Sequence, residues 1–269
     1  MHNPYEVHFA KIKKIKKEAH EIKLFTLEFK ERNLKGKFEF VPGQFIEVGI
    51  LGFGESPLAV CSSPKEPSSL QICVHRVGQV TSKLHRLKVG DEVTVRGPYG
   101  NGWPEARDKN LLLIGGGLGL IPLRSLILSK TEKSSKSKIQ VFYGARGIPQ
   151  LLFKSEYKKW DKFLDLQVTL DKPDPKWNGQ VGLITTLFDK IEILRESVAF
   201  VCGPPIMYKF VVPKLKEKNF KDSQIYLSLE RRMHCGIGVC QHCTVGSKYV
   251  CRDGPIFSFE ELKEIPGAI

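Results

Sequence analysis

Four cysteines near the C-terminus constrain this chain more than any other feature. Three of them lie within nine residues, in Cys235-Gly-Ile-Gly-Val-Cys240-Gln-His-Cys243, and Cys251 follows after seven more residues. The C-x4-C-x2-C…C spacing is typical of plant-type [2Fe–2S] sites. A loop that turns three thiolates toward one cluster must wrap tightly, and Gly236 and Gly238 supply backbone freedom inside it. The spacing predicts that all four cysteines are ligands of one cluster.

Zinc is the alternative occupant, because four thiolates also satisfy Zn²⁺. Zinc sites usually consist of two separated C-x2-C pairs, whereas three ligands are packed together here. The spacing therefore favours iron and sulfur. His234 and His242 flank ligands and are predicted to be surface neighbours, since four thiolates already complete the site. A [2Fe–2S] cluster carries one electron at a time, so the chain is expected to conduct electrons.

Length and composition indicate two compact domains with a small appendage, because 269 residues that are 41% hydrophobic can build two cores. Cys61, Cys73 and Cys202 are far apart in the sequence, so no disulfide framework is expected. Unpaired thiols indicate a reducing cytoplasm. The N-terminal residues contain no apolar signal region. The longest apolar run, Leu111 to Leu123, is interrupted by glycines and a proline and is too short for a membrane span.

The formal net charge of +13 has two interpretations. One is a lysine-rich surface without a specific role, and the other is a docking face for an acidic redox partner. Nucleic acid is not the expected partner, because the lysines are spread along the chain and are not interleaved with stacking aromatics. The densest run, Lys11–Lys17, predicts the solvated face of the first strand.

The pattern of the chain changes twice, which predicts three domains. Residues 1–102 contain short apolar runs between Gly, Pro and Asn, a pattern typical of an antiparallel β barrel, with one helix at 81–87. Residues 103–225 alternate buried strands with helices and predict a doubly wound α/β domain with a parallel sheet. Residues 226–269 form the small C-terminal cluster domain. The predicted fold class is therefore a β barrel plus α/β.

A glycine-rich turn is the first nucleotide-binding signal. Gly115, Gly116, Gly117 and Gly119 follow an apolar strand and open a helix. In that context the backbone approaches a pyrophosphate and the helix N-terminus favours its negative charge. The alternative is the close packing of a strand–helix turn without any ligand.

Two further signals lie at strand ends, where open α/β sheets bind ligands. Cys202, Gly203 and Pro204 end a later strand, and Cys202 is predicted to be the catalytic residue that faces a nicotinamide. A buried structural cysteine is the alternative. Arg146 is predicted to contact a pyrophosphate or a 2′-phosphate, with a surface arginine as the alternative. No acidic residue that would select NAD is evident beside it, so NAD and NADP both remain open.

Together these residues resemble the ferredoxin–NADP reductase superfamily, and within it the electron-transfer subunits of sulfhydrogenase, anaerobic sulfite reductase and dihydroorotate dehydrogenase type. The resemblance rests on Pro42-Gly-Gln-Phe45, Arg96-Gly-Pro-Tyr-Gly-Asn101, the glycine-rich turn, Cys202-Gly-Pro-Pro205 and Leu229–Gly236. It implies FAD in the barrel, NAD(P)H in the α/β domain and a [2Fe–2S] cluster at the C-terminus. The implied flavin-binding residues are Ser56, Pro57, Leu58, Ala59, Val74, His75, Arg76, Gly78, Val80 and Thr81.

The flavin segment departs from the superfamily pattern. The usual motif is Arg-x-Tyr-Ser/Thr, and the matching residues here are Ser56–Ala59. Serine takes the place of the arginine, leucine that of the stacking tyrosine ring, and alanine that of the final serine or threonine. Arg76 is expected to replace part of the missing charge, and Gly78 with Thr81 is expected to offer backbone N–H groups to a diphosphate.

The function expected from this resemblance is electron transfer between NAD(P)H, FAD, the cluster and a catalytic redox subunit in a hetero-oligomer. A free-standing NAD(P)H:ferredoxin-type reductase with an acidic ferredoxin as partner is one alternative. A zinc-stabilised, non-catalytic nucleotide-binding module is the alternative from another class. Neither membrane insertion nor nucleic-acid binding is expected.

Overall fold

The computed structural model describes residues 3–106, 108–130 and 137–269. The chain divides into two compact units. The first contains residues Met1–Trp103, Arg124–Ser129 and Arg231–Pro255, and the second contains Pro104–Leu123, Lys130–Glu230 and Ile256–Ile269.

Six antiparallel strands build the first unit's sheet, in the spatial order β4-β3-β6-β1-β2-β5. Their bounds are β1 His8–Ala19, β2 Ile22–Phe29, β3 Phe45–Ile50, β4 Gly54–Ala59, β5 Leu70–His75 and β6 Glu92–Tyr99. A single antiparallel bridge between Val60 and Ile72 links the two edges of this sheet. The sheet is therefore closed into a barrel, as the spacing of the apolar runs predicts.

Alternation along the strands separates the barrel core from its surface. In β1, Ala10 and Ile12 are buried, while Lys11, Lys13 and Lys14 are exposed. The two consecutive exposed lysines follow from a register shift between Ile12 and Lys14 in the pairing with β2. The lysine-rich run is thus the solvated face of the first strand, as predicted.

Helix α1 spans Gln79–Leu84, two to three residues earlier than the predicted helix at 81–87. The shift has a local cause, because Gly78 takes an extended conformation at the N-cap and Thr81 closes the first turn by bonding back to it. Thr81, the expected first residue, is the third residue of the helix.

The second unit contains a seven-stranded sheet in the order β10-β9-β8-β7-β11-β12-β15. All neighbouring strands are parallel except β12 and β15. The strands are β7 Asn110–Gly116, β8 Ile139–Ala145, β9 Asp165–Leu170, β10 Gln180–Val181, β11 Ser197–Cys202, β12 Ile225–Ser228 and β15 Ile256–Ser258. The strand order reverses between β7 and β11, which is where ligands bind in doubly wound sheets.

Helices connect these strands: α2 Leu120–Ser129, α3 Tyr157–Trp160, α4 Leu187–Lys190 and α5 Pro205–Glu217. Helix α7 Phe259–Leu262 follows the last strand. The cysteine-rich part contains the hairpin β13 Thr244–Val245 and β14 Lys248–Tyr249, followed by α6 Val250–Asp253. None of the helices in the described parts of the chain has both the length and the apolar character needed to cross a bilayer.

The parallel sheet extends beyond the predicted domain boundary at residue 225. Strand β12 begins at Ile225, the last residue before that boundary, and continues to Ser228, and β15 returns to the same sheet near the C-terminus. Short strands such as these carry too few residues for a sequence pattern, and their place is decided by the sheet edge that accepts them.

Candidate functional site

The cysteine loop of the first unit directs backbone N–H groups at its own sulfurs. The N–H groups of Val239, Ile237 and Cys240 lie 3.3, 3.5 and 3.5 Å from the Sγ atom of Cys235. The N–H of Gly238 donates to the Sγ atom of Cys251 at 3.0 Å. This wrapping needs left-handed backbone, with φ of 78° at Gly236 and 80° at Gly238, where glycine is favoured.

The four thiols fall into two interacting pairs. Cys240 is the side chain that acts most strongly on the ionisation of Cys235, and Cys243 is the side chain that acts most strongly on that of Cys251. The N–H of Cys251 also donates to the Sγ atom of Cys243 at 3.4 Å. All seven cysteines of the chain are free of disulfide bonds. A two-plus-two arrangement of thiols fits a cluster with two irons, each of which takes two protein sulfurs.

Electrostatics differ between the two pairs. Burial opposes ionisation of Cys235, but the N–H groups of Cys240, Ile237 and Val239 together lower its pKa to about 6. Burial, together with the side chain of Cys243, raises the pKa of Cys251 to about 12. Cys235 is therefore a thiolate at neutral pH, and binding of a metal by Cys251 must displace its proton.

No set of three His, Cys, Asp or Glu side chains among residues 3–106, 108–130 and 137–269 could hold a single metal ion. His234 and His242 are exposed and contact each other edge to face, with ring centroids 4.3 Å apart. The Nδ1 atom of His242 lies 3.1 Å from the carbonyl oxygen of Cys240.

The cysteine loop packs on the barrel strand β6 and the residues after it. A Cβ atom on Gly236 would lie 2.9 Å from the ring of Tyr99, so the loop backbone rests directly on that ring. Asn101 donates its backbone N–H to the carbonyl of Gly254 at 2.6 Å. These contacts place the cysteine loop against the outer surface of the barrel.

Buried charge lies beneath this loop. Glu47 on β3 is fully buried, and neither of its carboxylate oxygens has a hydrogen-bond partner within the described part of the chain. Burial raises the pKa of Glu47 to about 7 against the opposing charge of Arg96. Arg96 is itself buried and forms an ion pair with Glu55 at 2.6 Å, and that pair raises the pKa of Arg96 above its already high value. The sequence pattern predicts no role for these residues, because a single charged residue in a strand gives no sign of what will cover it.

The predicted flavin segment lies on β4. Ser56, Pro57, Leu58 and Ala59 are half-buried and pair with β3 along one edge of the strand. No strand ladder to the other edge of β4 occurs between Gly54 and Ala59 in the part of the chain that the structure describes. Backbone groups along such an edge need partners, and half-buried apolar residues beside them suit a flat ligand. The segment fits a flavin bound chiefly through backbone groups.

The other predicted flavin residues surround α1. Val74 is fully buried in the barrel core, His75 is half-buried, and Val80 packs against that core. The N–H groups of Gly78 and Val77 lie 2.9 and 3.2 Å from the hydroxyl oxygen of Thr81, which accepts both. The N–H of Gly78, expected to be offered to a diphosphate, is therefore already bonded within the turn.

Arg76 is the predicted replacement for the missing flavin-motif arginine. Its guanidinium donates to the carboxylate of Glu21, which joins it in an ion pair at the surface. Hydrogen bonding by Arg76 lowers the pKa of Glu21. A ligand phosphate would have to compete with this carboxylate.

The glycine-rich turn of the second unit lies at the carboxyl end of β7, beside the end of β11. A Cβ atom on Gly119 would lie 1.9 Å from the carbonyl oxygen of Cys202, so only glycine fits there. Gly117 has φ of 54°, and nothing lies within 4 Å of its Cβ position. Gly116 and Gly203 approach each other, with Met207 against both. The turn thus has a packed side and an open side, and the open side fits a pyrophosphate.

Cys202 ends β11 and is buried. Burial, with the negative charge of Glu230 as a second cause, raises the pKa of Cys202 to about 12. The nearby Tyr208 hydroxyl accepts the N–H of Gly203 and donates to the carbonyl of Ser228, which ties β11 to β12. A thiol in this environment is neutral at physiological pH, so it cannot act as a base.

Arg146 is exposed just after β8, and its charge acts on Asp171, which follows the neighbouring strand β9. Partial burial raises the pKa of Asp171, and Arg146 opposes that rise. The N–H of Asp171 donates to the carbonyl of Ala145 at 2.9 Å. The sequence next to Arg146 gives no sign of Asp171, because the two residues are 25 positions apart in the chain. Asp171 could have been predicted from the two strands, because β8 and β9 are parallel neighbours and the residues that follow them lie side by side.

Three sequence families match successive parts of the chain. They are described as "Oxidoreductase FAD-binding domain" over residues 9–103, "Oxidoreductase NAD-binding domain" over 113–213, and "Iron-sulfur cluster binding domain of dihydroorotate dehydrogenase B" over 230–263. The last match includes all four cysteines and favours iron–sulfur over zinc.

Relatives match the chain over most of its length. The Sulfhydrogenase 2 subunit gamma of Pyrococcus furiosus is 38% identical over 99% of this chain and 100% of its own length. A Thermoplasma volcanium protein named as an electron transfer subunit of dihydroorotate dehydrogenase B (NAD(+)) is 35% identical over 82% of this chain and 80% of its own. A solved chain of an NADH-dependent reduced ferredoxin–NADP oxidoreductase has a TM-score of 0.78 and 29% identity, and the match covers 96% of this chain and 92% of that one.

The fold, the sites and these matches define an oxidoreductase with FAD-binding, NAD-binding and iron–sulfur domains. The chain belongs to the family of electron-transfer subunits that includes the sulfhydrogenase gamma subunits.

Proposed function

We propose that this chain is an electron-transfer subunit that links NAD(P)H to a catalytic partner subunit through FAD and a [2Fe–2S] cluster. The cysteine loop carries the proposal, because its thiols form two pairs and its N–H groups converge on two of the sulfurs. We assign Cys235, Cys240, Cys243 and Cys251 as the ligands. The two-plus-two pairing supports a cluster with two irons.

When bound, FAD would exchange a hydride with the nicotinamide and electrons singly with the cluster, so the cofactors would supply the redox chemistry. The protein's own residues bind and orient the nucleotides and tune the reduction potential of the cluster. In the second unit, Gly119 allows the start of α2 to pack against the end of β11, and Gly117 leaves open space beside that helix start. We assign Gly115, Gly116, Gly117 and Gly119 to the pyrophosphate of NAD(P)H, and Gly203 and Pro204 to the adjoining wall.

Cys202 is assigned to contact with the nicotinamide, without a proton-transfer role. Its buried thiol is neutral because its pKa is raised to about 12. Hydride transfer itself requires no acid or base from the protein, so a neutral side chain at this position is compatible with the chemistry.

In the barrel, we assign Ser56–Ala59 and the segment from Val74 to Thr81 to the flavin. The open edge of β4 offers backbone groups in place of the absent arginine and tyrosine. In the cysteine loop, the N–H groups directed at Cys235 and Cys251 stabilise the negative charge that an added electron brings. Such hydrogen bonds raise the reduction potential of iron–sulfur centres.

The partner is proposed from the relatives, which are named as subunits of sulfhydrogenase and dihydroorotate dehydrogenase. We propose a catalytic redox subunit in a hetero-oligomer, located in the reducing cytoplasm because all seven cysteines are free. An acidic ferredoxin is the second candidate partner, favoured by the net charge of +13. Co-purification distinguishes the two, since a lone chain that is active with ferredoxin would contradict the subunit assignment.

An anaerobic absorbance titration tests the cofactor assignment. We expect flavin bands with iron–sulfur shoulders that bleach when NADH or NADPH is added, and the effective nucleotide identifies the donor. Iron, sulfide and zinc analysis of the same sample decides the metal. Zinc without sulfide, or a protein without flavin, would overturn the proposal.

The variant Cys240→Ser separates the two redox sites. We expect it to lose the iron–sulfur absorbance and the reduction of the partner, because one cluster ligand is missing. Reduction of the flavin by NAD(P)H should remain, since Cys240 lies outside both nucleotide-binding segments. Loss of flavin reduction as well would show that the sites do not function separately.

A further inference from the structure

Arg96 is a buried cation that neither the nucleotide nor the flavin assignment uses. It lies on β6 opposite Glu47 of β3, and its side chain is 6% exposed. A buried guanidinium persists only when its donors are satisfied, so its partners indicate what it holds together.

Those partners come from three places in the first unit: strand β4, the end of β6 itself and the cysteine loop. The Nε atom donates to both carboxylate oxygens of Glu55, at 3.0 and 3.1 Å, and a terminal nitrogen donates to the same carboxylate at 2.6 Å. The other terminal nitrogen donates to the Tyr99 hydroxyl at 2.9 Å and to the carbonyl oxygen of Cys235 at 3.3 Å. Glu55 lies on β4 beside the proposed flavin segment, and Cys235 is the first cysteine of the loop.

The bond to Cys235 orients the peptide that begins the cysteine loop. In a trans peptide the C=O and the following N–H point in opposite directions. With the carbonyl of Cys235 held toward Arg96, the N–H of Gly236 is aimed away from the barrel strand, and the next peptides turn their N–H groups to the sulfurs. Tyr99 limits the same turn from below, because its ring leaves no room for a Cβ atom on Gly236.

We propose that Arg96 is a positioning residue for electron transfer: its guanidinium fixes the cysteine loop to strand β4 and supplies a positive charge that raises the cluster's reduction potential. The inference rests on the proposed function, since it requires a cluster in the loop. A fork of five donors suits this task, because it can serve the carboxylate and the carbonyl at the same time. A lysine has the charge without that geometry.

The test uses the full chain loaded with FAD and cluster, and compares Arg96→Gln, Arg96→Lys and the control Arg252→Gln. Arg252 adjoins a proposed ligand too, but it is exposed and its guanidinium is paired with Asp253. The measurements are the midpoint potential of the cluster, from a spectroelectrochemical titration, and its visible circular dichroism.

For Arg96→Gln we expect the cluster to become harder to reduce by about tenfold in the equilibrium constant, which is about 59 mV for one electron. Its circular dichroism should change as well. Arg96→Lys should recover part of the potential but keep the altered circular dichroism, because the charge returns and the fork does not. Arg252→Gln should shift the potential by less than a third as much, since solvent screens an exposed charge.

The inference is overturned if Arg96→Gln has the potential and circular dichroism of the unaltered protein. It is also overturned if Arg252→Gln shifts the potential as much as Arg96→Gln does. Should Arg96→Gln not fold, Glu55→Gln decides instead. That change leaves the guanidinium without its counter-ion and must raise the potential, and an unchanged potential would refute the positioning role. Absence of iron and sulfide from the unaltered protein would instead refute the proposed function.

Discussion

The two compact units build their candidate sites by opposite means. Where the strand order of the second unit reverses, the site depends on glycines: Gly116, Gly119 and Gly203 have no side chain and allow backbone to approach backbone. On the barrel of the first unit, charges are buried: Glu47 and Arg96 lie beneath the cysteine loop. The difference shows that a site built from glycines can be recognised from the sequence, whereas a site built from buried charged residues cannot.

Replacement of Gly119 should have the largest effect. Gly119→Ala places a Cβ atom 1.9 Å from the carbonyl oxygen of Cys202, and two backbone segments must separate to admit it. We expect the free energy of unfolding to fall by about 3 kcal/mol and NAD(P)H binding to be lost. Chemical denaturation and a nucleotide-binding titration measure the two effects.

Gly117→Ala is the matched control. Nothing lies within 4 Å of its Cβ position, and only the φ of 54° opposes the change. We expect a loss of about 1 kcal/mol, the cost of a left-handed backbone for alanine. Equal losses at Gly117 and Gly119 would contradict the distinction between an open and a packed side of the turn.

Replacement of Glu47 tests the buried charge of the barrel. The pKa of Glu47 is raised from 4.5 to about 7, so the folded protein keeps this proton where the unfolded chain has lost it. Its contribution to stability is fully present below pH 4.5 and is lost as the pH rises through 7, by about 3 kcal/mol in total. In Glu47→Gln this decline should disappear.

The measurement is the free energy of unfolding of the cluster-loaded protein between pH 4.5 and 8, because thiolates bound to metal do not titrate in that range. Glu31→Gln serves as the control, because the side chain of Glu31 is 32% exposed and not fully buried. A stability decline that persists in Glu47→Gln would assign the pH dependence to another group.

Thr81→Val should have a small effect, similar in size to that of Gly117→Ala. The hydroxyl of Thr81 accepts the N–H groups of Gly78 and Val77, and both lose that partner in the variant. We expect a loss of about 1 kcal/mol in the free energy of unfolding, measured by chemical denaturation of the FAD-loaded protein. Thr81→Ser keeps the hydroxyl and should retain most of the stability that Thr81→Val loses. Unchanged stability in Thr81→Val would mean that Gly78 finds another acceptor, such as the flavin diphosphate.

Sequence analysis predicted the barrel, the parallel sheet and the cluster loop because each depends on local signals. Cysteine spacing, glycine position and apolar periodicity all act over a few residues. The missed features involve residues far apart in the chain. Asp171 lies near Arg146 only because β8 and β9 are neighbours, and β15 belongs to the parallel sheet only because an edge of β12 is open to it.

The sequence by itself determined which residue types the chain offers for chemistry: four thiols at cluster spacing, glycines in a strand–helix turn, and a proposed flavin segment that lacks the usual arginine and tyrosine. Only the tertiary structure decided where the charges act. It buried Glu47 and Arg96 under the cysteine loop, paired Arg76 with Glu21 at the surface, and bonded Gly78 to Thr81. The physical reason is that solvation and partners govern a charge or an N–H group, and both are set by segments that meet only when the chain folds.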